Sequence, residues 1–247
     1  MSDIIFKGPN CKLKGKYYRG KNDNNPFVLI LYPESKLDVI PDAIQSVISI
    51  LLKNDFSIFC FNFKRLSNVI TDPIKKKEEE LAEVISTLNW ISDKCRENKS
   101  LWLFGFFSAC WTGLQVVMRR PEITDYILFS PSTKAKDFTF IVPCSSNGMI
   151  VYESTTQSSV DEIVEKLLNK SDSSIETMPI DNCDIEKGQN ISEMLGKIEE
   201  YIKKRLLEDS GKIRKIKRDR RRRKKKKNII EEEKNIHLPP IKSLDFD

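Results

Sequence analysis

The stretch LWLFGFFSACW, residues 101–111, contains the transition on which the predicted fold depends. It begins with LWLFGF, a run of strand length with no polar residue, which is typical of a strand buried on both faces. The next segment, Ala109 to Arg120, has helical spacing, and Pro121 ends that helix because proline cannot donate a backbone N–H. The sequence therefore predicts a buried strand that turns into a helix.

Strands and helices alternate on both sides of this stretch. An opening hairpin is predicted first, and the alternation ends in a long amphipathic helix. Asn147-Gly148 predicts a turn before one of the later strands. The predicted strands cover residues 4–6, 13–18, 27–33, 56–63, 101–106, 126–131, 149–153 and 174–179, and the predicted helices cover residues 42–53, 75–95, 109–120, 160–168 and 191–207.

Alternation at this spacing requires right-handed crossovers and therefore a mostly parallel sheet. We predict a single three-layer α/β domain over residues 1–208, with a mostly parallel central sheet and helices on both faces. Residues 209–227 are predicted to form a basic helical or extended arm, and residues 228–247 an extended docking tail.

The composition excludes several classes of protein. Apolar residues make up 39% of the 247 residues, too large a share for a disordered chain. No apolar run approaches the ~20 residues that are needed to cross a membrane. His237 is the one histidine of the chain. Ser-His-Asp triads, histidine general bases and histidine-ligated metal sites are therefore excluded within residues 1–208.

The net charge of +6 is divided unevenly along the chain. Residues 212–227 read KIRKIKRDRRRRKKKK, thirteen Lys or Arg and one Asp, a local net charge of +12. Residues 1–211 and residues 228–247 each carry a net charge of −3. A like-charged block of this length cannot fold on itself and is typical of an interaction tail.

We predict that the basic block binds RNA with little sequence preference, because clustered cations release counterions from nucleic acid. An anionic membrane surface is less favoured, since the block lacks interleaved bulky aromatics. A nuclear-localisation-type signal is a third interpretation. Protein partners are expected at the body and at residues 235–247. The candidate RNA-binding residues are Lys212, Arg214, Lys215, Lys217, Arg218, Arg220, Arg221, Arg222, Arg223, Lys224, Lys225, Lys226 and Lys227.

The cysteines are interpreted as reduced thiols of the core, because none of them forms a CxxC pair and most lie beside apolar residues. The sequence has no cysteine-rich metal spacing and no phosphate-cradling glycine loop, so we predict neither a metal site nor a cofactor. The N-terminus has no secretory signal and lacks the character of a transit peptide. The cysteines are Cys11, Cys60, Cys95, Cys110, Cys144 and Cys183.

Residues 102–151 resemble a small alphaproteobacterial-type family of α/β-hydrolases, related to dienelactone-hydrolase-like esterases. The matching segments are IIFKGPNCKLKGKYY (4–18), GLQVVMRRPEI (113–123), FSP (129–131), DFTFIVPC (137–144) and NGMIV (147–151). The resemblance covers nearly all of residues 3–207. It implies an α/β-hydrolase-like fold with a nucleophile elbow after the strand at 101–106.

The elbow of this family presents a serine on a strained turn, with glycines two residues before and after it. In that register the nucleophile position falls on Phe107, and Ala109 stands at the second glycine. Phenylalanine has neither a proton to lose nor a lone pair to attack with. Ser108 comes one residue late, and Cys110 lies inside the predicted helix.

The other catalytic elements that the resemblance implies are also altered. The acid position falls nearest Thr156, with Glu153 as a possible substitute, and the histidine position falls on Ile185. A carboxylate without a histidine has nothing to orient. The loop that would form the oxyanion hole reads YPESKLD, residues 32–38.

These departures predict a protein that has kept the hydrolase fold and lost hydrolysis. We predict a catalytically inactive structural component of an RNA-containing assembly, such as a mitochondrial ribosome. The mitochondrial matrix is the expected location, with the cytoplasm as the alternative. The alternative function is a residual or altered hydrolase acting on small esters, with Ser108 or Cys110 as its nucleophile.

Overall fold

The computed structural model describes residues 1–21, 26–33, 40–63, 73–94, 100–131, 140–142, 144–168 and 175–209. Eight strands and five helices alternate along these residues. The strands are β1 (Ser2–Lys7), β2 (Lys12–Tyr18), β3 (Phe27–Tyr32), β4 (Ser57–Asn62), β5 (Leu101–Phe106), β6 (Ile123–Phe129), β7 (Asn147–Glu153) and β8 (Ile175–Ile180). The helices are α1 (Asp42–Lys53), α2 (Pro73–Lys94), α3 (Ala109–Val117), α4 (Gln157–Leu168) and α5 (192–209).

The strands form one sheet in the order β1-β2-β4-β3-β5-β6-β7-β8. Every neighbouring pair from β4 to β8 is parallel, whereas β2 is antiparallel to both β1 and β4. The predicted opening hairpin and the predicted mostly parallel sheet are both confirmed.

The core lies on both faces of the sheet because β3 and β5 are apolar at every position. All six residues of each strand are buried. Alternate residues point to opposite faces, and Leu29, Leu31 and Leu103 pack in one cluster with buried residues of α2, α3 and α4. Their neighbours Val28 and Ile30 are buried on the other face, where α1 contacts β4.

Two boundaries differ from the sequence prediction around β6 and β7. β6 begins at Ile123 rather than Tyr126, since Thr124 and Asp125 interrupt the apolar run from which the strand was predicted. The predicted Asn147-Gly148 turn is wrong, because both residues belong to β7. Gly148 pairs with Tyr126, and a Cβ at Gly148 would lie 2.3 Å from Cζ of that ring. The glycine therefore makes room for an aromatic ring.

Helix α3 is shorter than predicted. It ends at Val117 rather than Arg120, with Met118 as its C-cap. The Arg119 backbone N–H donates to the Val116 carbonyl at 3.0 Å, a tightened i to i−3 bond of the kind that ends many helices. Three residues, 118–120, therefore separate the end of the helix from Pro121.

The chain divides into two compact units, Met1–Gly196 and Lys197–Asp247. In the second unit the structure describes residues 197–209, which are helical, with Ile198, Ile202 and Arg205 buried. Apart from Asp209, the predicted arm and tail lie outside the described residues. Among the helices that the structure describes, none is long and apolar enough to cross a membrane.

Candidate functional site

The turn between β5 and α3 has the backbone conformation of an elbow. Phe107, the residue at the turn, has a φ of 52°, in the left-handed region that non-glycine residues rarely occupy. Its backbone N–H donates to the Phe129 carbonyl of β6 at 2.8 Å. The half-buried Phe107 ring lies 6.1 Å from the Phe106 ring. The structure thus places the predicted nucleophile position at a strained turn, occupied by an aromatic side chain.

Gly105 allows α3 to approach β5 closely. A Cβ on Gly105 would lie 3.1 Å from the Cα of Cys110, tighter than most real contacts. Ala109, which stands at the position of the second glycine, is buried at the start of α3. The close strand–helix packing that an elbow requires is therefore present in this chain.

The two hydroxyl and thiol groups nearest the turn differ in environment. Ser108 is exposed, has helical dihedral angles of −67° and −22°, and precedes α3 without making a side-chain cap hydrogen bond. Cys110 is buried, and its Sγ lies 3.1 Å from the Gly105 carbonyl and 3.4 Å from the Phe129 carbonyl. The Cys110 thiol is thus directed at main-chain carbonyl oxygens of β5 and β6.

The structure brings together Glu153, the possible substitute for the acid, and Ile185, which stands at the histidine position. Glu153, the last residue of β7, accepts a hydrogen bond from the Ile185 backbone N–H, with Oε1 3.3 Å from the nitrogen. The Ile185 side chain is fully buried. Thr156 ends a short 3₁₀ turn, Ser154–Thr156, and its side chain lies outside the described atoms. A carboxylate and a backbone amide therefore meet at Ile185, the position that the resemblance assigns to the histidine.

The loop that carries Ile185 is closed by its own hydrogen bonds. Asp184 and Gln189 exchange two backbone hydrogen bonds of 3.1 and 2.9 Å. The Asp184 carboxylate accepts from the Lys187 backbone N–H and from Lys187 Nζ, both at 2.8 Å. Those hydrogen bonds lower the pKa of Asp184, and the Asp184 carboxylate raises the pKa of Lys187. Both groups are at the surface, so the pair closes the loop without a large energetic contribution.

Cys183 lies beside Glu153 in the same region. Burial raises the pKa of the Cys183 thiol above its ordinary value of 9.0, and the charges of Glu153, Asp184 and Glu193 raise it further. The thiolate is the reactive form of cysteine, and it is disfavoured here. The Cys183 side chain is therefore in its thiol form near neutral pH.

Aromatic side chains surround the turn. The rings of Phe106 and Phe129 stack with centroids 4.2 Å apart, and the Phe106 side chain is fully buried. On the next helix, Trp111 contacts Phe140 edge to face at 5.7 Å, and Lys77 Nζ lies 4.8 Å from the Trp111 ring centroid. Packing between β5, β6 and α3 is therefore largely aromatic on this side of the turn.

The remaining predicted sites are placed only in part. Tyr32 ends β3 and Pro33 follows it, while residues 34–38 of the predicted oxyanion loop lie outside the described residues. The thirteen candidate RNA-binding residues at 212–227 and the docking tail at 235–247 lie outside them as well. Within the described ranges, no group of three or more His, Cys, Asp or Glu side chains could hold a metal ion. No disulfide joins the five cysteines that the structure describes.

Sequence reasoning named Glu153 only as a substitute for the acid and missed its contact with Ile185. The position of Glu153 at the end of an apolar strand was the available signal, because side chains at the carboxyl ends of parallel strands line the site in open α/β sheets. The partner is 32 residues away in sequence, and nothing in the local pattern identifies it.

Comparison with known proteins identifies relatives in sequence and in structure. No family model matches the chain. An uncharacterised protein of Rickettsia prowazekii is 26% identical over 178 residues, which make up 69% of this chain and 73% of that protein. A protein of unknown function from Agrobacterium tumefaciens, described as a candidate α/β hydrolase, is 27% identical, with a TM-score of 0.72 over 83% of this chain and 97% of that one.

Two more distant structures share the fold. An α/β serine hydrolase homologue from Coxiella burnetii is 17% identical, with a TM-score of 0.64 over 83% of this chain and 97% of its own. A dienelactone hydrolase from Anabaena variabilis is 9% identical, with a TM-score of 0.61 over 84% and 96%. These matches confirm the predicted fold: the chain has the fold of the α/β hydrolases.

Proposed function

We propose that this protein uses the α/β-hydrolase fold without hydrolysing esters, as an interaction component of an RNA-containing assembly. The observation that carries the proposal is the identity of the residue at the elbow. Phe107 has the left-handed φ of 52° that the turn demands, but its side chain is a hydrocarbon ring. A phenylalanine at this position cannot form the covalent intermediate through which such enzymes act.

The rest of the site supports the same proposal. A serine nucleophile needs a base to remove its proton, and the base needs a third group to orient it. Here the carboxylate of Glu153 is engaged by the backbone N–H of Ile185, and the Ile185 side chain cannot accept a proton. Cys110, the stronger nucleophile by type, is buried with its thiol directed at carbonyl oxygens.

The charge of residues 212–227 supports RNA as the partner. Thirteen cations and one acid in sixteen residues could neutralise many phosphates, with a binding constant that falls steeply as salt is added. Residues 1–211 carry a net charge of −3, so the attraction for a polyanion is concentrated in one segment. We propose a mitochondrial ribosome or a similar organellar particle as the assembly, in the mitochondrial matrix, with the cytoplasm as the alternative location.

A second candidate is a residual or altered hydrolase of small esters that uses Ser108 or Cys110 as its nucleophile. The descriptions of the Coxiella and Anabaena structures name hydrolases, and these comparisons favour the second candidate over the first. Ser108 is exposed and adjoins the elbow, at the start of α3. Within residues 1–208 the Ser108 hydroxyl would need a base other than histidine, because the one histidine of the chain is His237.

A fluorophosphonate probe and a thiol-directed probe separate the two candidates. For the non-hydrolytic proposal we expect no fluorophosphonate labelling of the full-length protein, and equal background for the wild type and Ser108→Ala. Labelling that disappears in Ser108→Ala, or thiol labelling at low probe concentration that disappears in Cys110→Ala, would establish the hydrolase instead. A circular dichroism spectrum of each variant controls for folding.

RNA binding is tested by comparing the full chain with a variant that lacks residues 212–227. We expect the wild type to bind a single-stranded RNA with a binding constant that falls steeply with salt, and the deletion to remove most of that slope. Equal affinity for the two proteins, or binding that salt does not weaken, would contradict the RNA-binding proposal.

A further inference from the structure

Strand β1 is one outer edge of the sheet. Among the strands that the structure describes, it pairs with β2 alone, so one side of its backbone has no strand beside it. Such an edge is a template for pairing with another chain, and proteins usually protect it with proline or with charge. The opposite edge, β8, contains Pro179, which has no N–H to donate. β1 contains no proline.

The hairpin determines which backbone groups of β1 point to the unpaired side. The Gly8 N–H donates to the Cys11 carbonyl at 2.8 Å, so the Gly8 amide faces β2. The amides of successive residues in a strand point alternately to its two sides. The amides and carbonyls of Asp3, Ile5 and Lys7 therefore face away from β2. We call these three residues the open edge.

The side chains of the open edge lie on the outer face of the hairpin. The other face packs on the protein, since Phe6 is buried and its ring stacks on the Trp90 ring of α2 with centroids 5.2 Å apart. Alternate residues of a strand point to opposite faces, so the open edge points away from that packing. Ile5 is 64% exposed, and Asp3 and Lys7 are exposed as well. The open edge thus presents an acid, an aliphatic group and a base to solvent, in that order.

This order of side chains is complementary to itself in the antiparallel direction. If two copies of β1 pair antiparallel about a twofold axis at Ile5, Asp3 of each copy lies opposite Lys7 of the other. The two Ile5 side chains lie opposite each other at the axis. Directly opposed residues share a face and are close enough to form ion pairs and apolar contacts. One register therefore satisfies all three residues of the open edge.

The neighbouring registers lack this complementarity. The outward backbone groups of the two copies meet only in registers that differ by steps of two residues. One step in one direction places Asp3 opposite Ile5, and one step in the other direction places Lys7 opposite Ile5. Both leave a charge facing an aliphatic group. The register centred on Ile5 is therefore favoured over both.

We propose that this protein forms a symmetric dimer in which the open edges of two copies pair antiparallel and join the two sheets. The inference goes beyond the proposed function and does not depend on RNA binding. The pairing forms about six main-chain hydrogen bonds, together with an Asp3–Lys7 ion pair on each side of the axis. The Asp3 carboxylate lies 3.2 Å from Lys14 Nζ and is 49% exposed, so its oxygens can accept from a second cation.

Lys7 has opposite effects on different partners. A lysine on an edge strand ordinarily discourages pairing with a foreign strand, because its charge must be desolvated or matched. In a second copy of this chain, Asp3 supplies the matching charge. The open edge therefore selects another copy of itself over a strand of unrelated sequence.

Sedimentation equilibrium of the full-length protein, treated with ribonuclease, measures the dimer over a concentration series. The test variants are Lys7→Asp, which gives the open edge two acids, and Asp3→Lys, which gives it two bases. Each variant by itself places like charges opposite each other on both sides of the axis, so we expect its dissociation constant to rise by roughly tenfold or more. A 1:1 mixture of the two variants is expected to restore the dimer, because every acid again faces a base.

The matched control is Lys75→Asp, which makes the same change of charge at an exposed lysine in the first turn of α2. It is expected to leave the dimer intact. Circular dichroism shows whether each variant is folded. In Lys7→Asp the new carboxylate faces Lys12 across the hairpin, so the pairing of β1 with β2 is expected to be retained.

Several results would overturn the inference. These are a wild type that stays monomeric at every concentration, a dimer that both test variants leave unchanged, and a mixture of folded test variants that stays monomeric. Equal dissociation by Lys75→Asp and Lys7→Asp would make the effect one of net charge. A dimer that ribonuclease removes would show that RNA bridges the two copies, which contradicts the inference and supports the proposed function. A wild-type dimer that binds no RNA would support the inference and contradict the proposed function.

Discussion

At the residue scale, two properties of Phe107 define the site. Its backbone is in the left-handed region, and its side chain has no nucleophilic group. Its φ of 52° is costly for a bulky side chain, so the fold around the turn must over-determine it. The hydrogen bond from Phe107 N–H to the Phe129 carbonyl and the close packing of α3 on Gly105 supply that constraint. The turn is thus maintained by its neighbours and does not depend on a nucleophilic side chain.

Phe107→Ser tests whether the site lacks more than its nucleophile. We expect the variant to hydrolyse p-nitrophenyl acetate no faster than Phe107→Ala, because Ile185 cannot accept a proton and the residues that the structure describes contain no histidine. Phe107→Ala is the matched control, since it removes the same ring. Faster hydrolysis by the serine variant alone would show that a base is still available.

The raised pKa of Cys183 predicts how the rate of its alkylation depends on pH. Its pKa is raised above 9.0, so the folded protein keeps the thiol protonated to a higher pH than the unfolded chain does. We expect alkylation of Cys183 by iodoacetamide at pH 7–8 to be slower than in urea, and to accelerate only above pH 9.0. Peptide mass spectrometry gives the rate for each cysteine. Rapid labelling of folded Cys183 at pH 7 would reveal a thiolate and favour a thiol enzyme.

The sequence was sufficient to assign Phe107 to the turn, but not to predict its left-handed backbone conformation. Alignment with the elbow pattern put Phe107 at the turn, whereas phenylalanine by itself disfavours a left-handed backbone. The contact between Glu153 and Ile185 depends on how a loop folds back on a strand end, which short-range periodicity does not encode.

At the element scale, continuous apolar runs predict the central strands correctly, whereas the Asn147-Gly148 pair does not predict a turn correctly. β3 and β5 were predicted because both faces of a central parallel strand are buried. Gly148 was misinterpreted as part of a turn because Asn-Gly is typical of turns. Its actual role, space for the Tyr126 ring on the neighbouring strand, requires knowledge of the strand register.

Gly148→Ala tests that role. An added Cβ would meet Cζ, Oη and Cε2 of Tyr126 at 2.3–2.7 Å, so we expect a loss of about 1–3 kcal/mol in the free energy of unfolding. Gly196→Ala, in helix α5, is the control: its Cβ meets nothing within 4 Å, and we expect no loss or a gain of up to ~1 kcal/mol. Urea unfolding measures both. Equal stability of the two variants would mean that the Tyr126 ring moves aside freely.

At the scale of the whole molecule, charge is segregated. The body from residue 22 to residue 211 is acidic, while the hairpin and residues 212–227 are basic. The proposed association with a polyanion depends on this distribution of charge, which says little about the fold. Strand and helix alternation predicted the parallel sheet, but it could not predict that β2 pairs with β4 instead of β3.

Sedimentation of the native protein tests the proposed association with an RNA-containing assembly. We expect it to migrate with a ribonucleoprotein particle in a sucrose gradient at low salt, and to return to the top of the gradient after ribonuclease treatment or a high-salt wash. A protein lacking residues 212–227 is the control and is expected to remain at the top. Migration of the wild type as a free monomer under all conditions would count against the assembly.

The sheet order also has a consequence for biosynthesis. β3 is synthesised before either of its neighbours, β4 and β5, and β5 ends only at Phe106. Both backbone edges of β3, a strand of six buried residues, are unpaired until β4 is complete at Asn62, and the edge that pairs with β5 stays unpaired until Phe106. Non-local pairing of this kind folds slowly and leaves aggregation-prone edges open. We therefore expect early elongation to be the stage at which this chain most needs a chaperone.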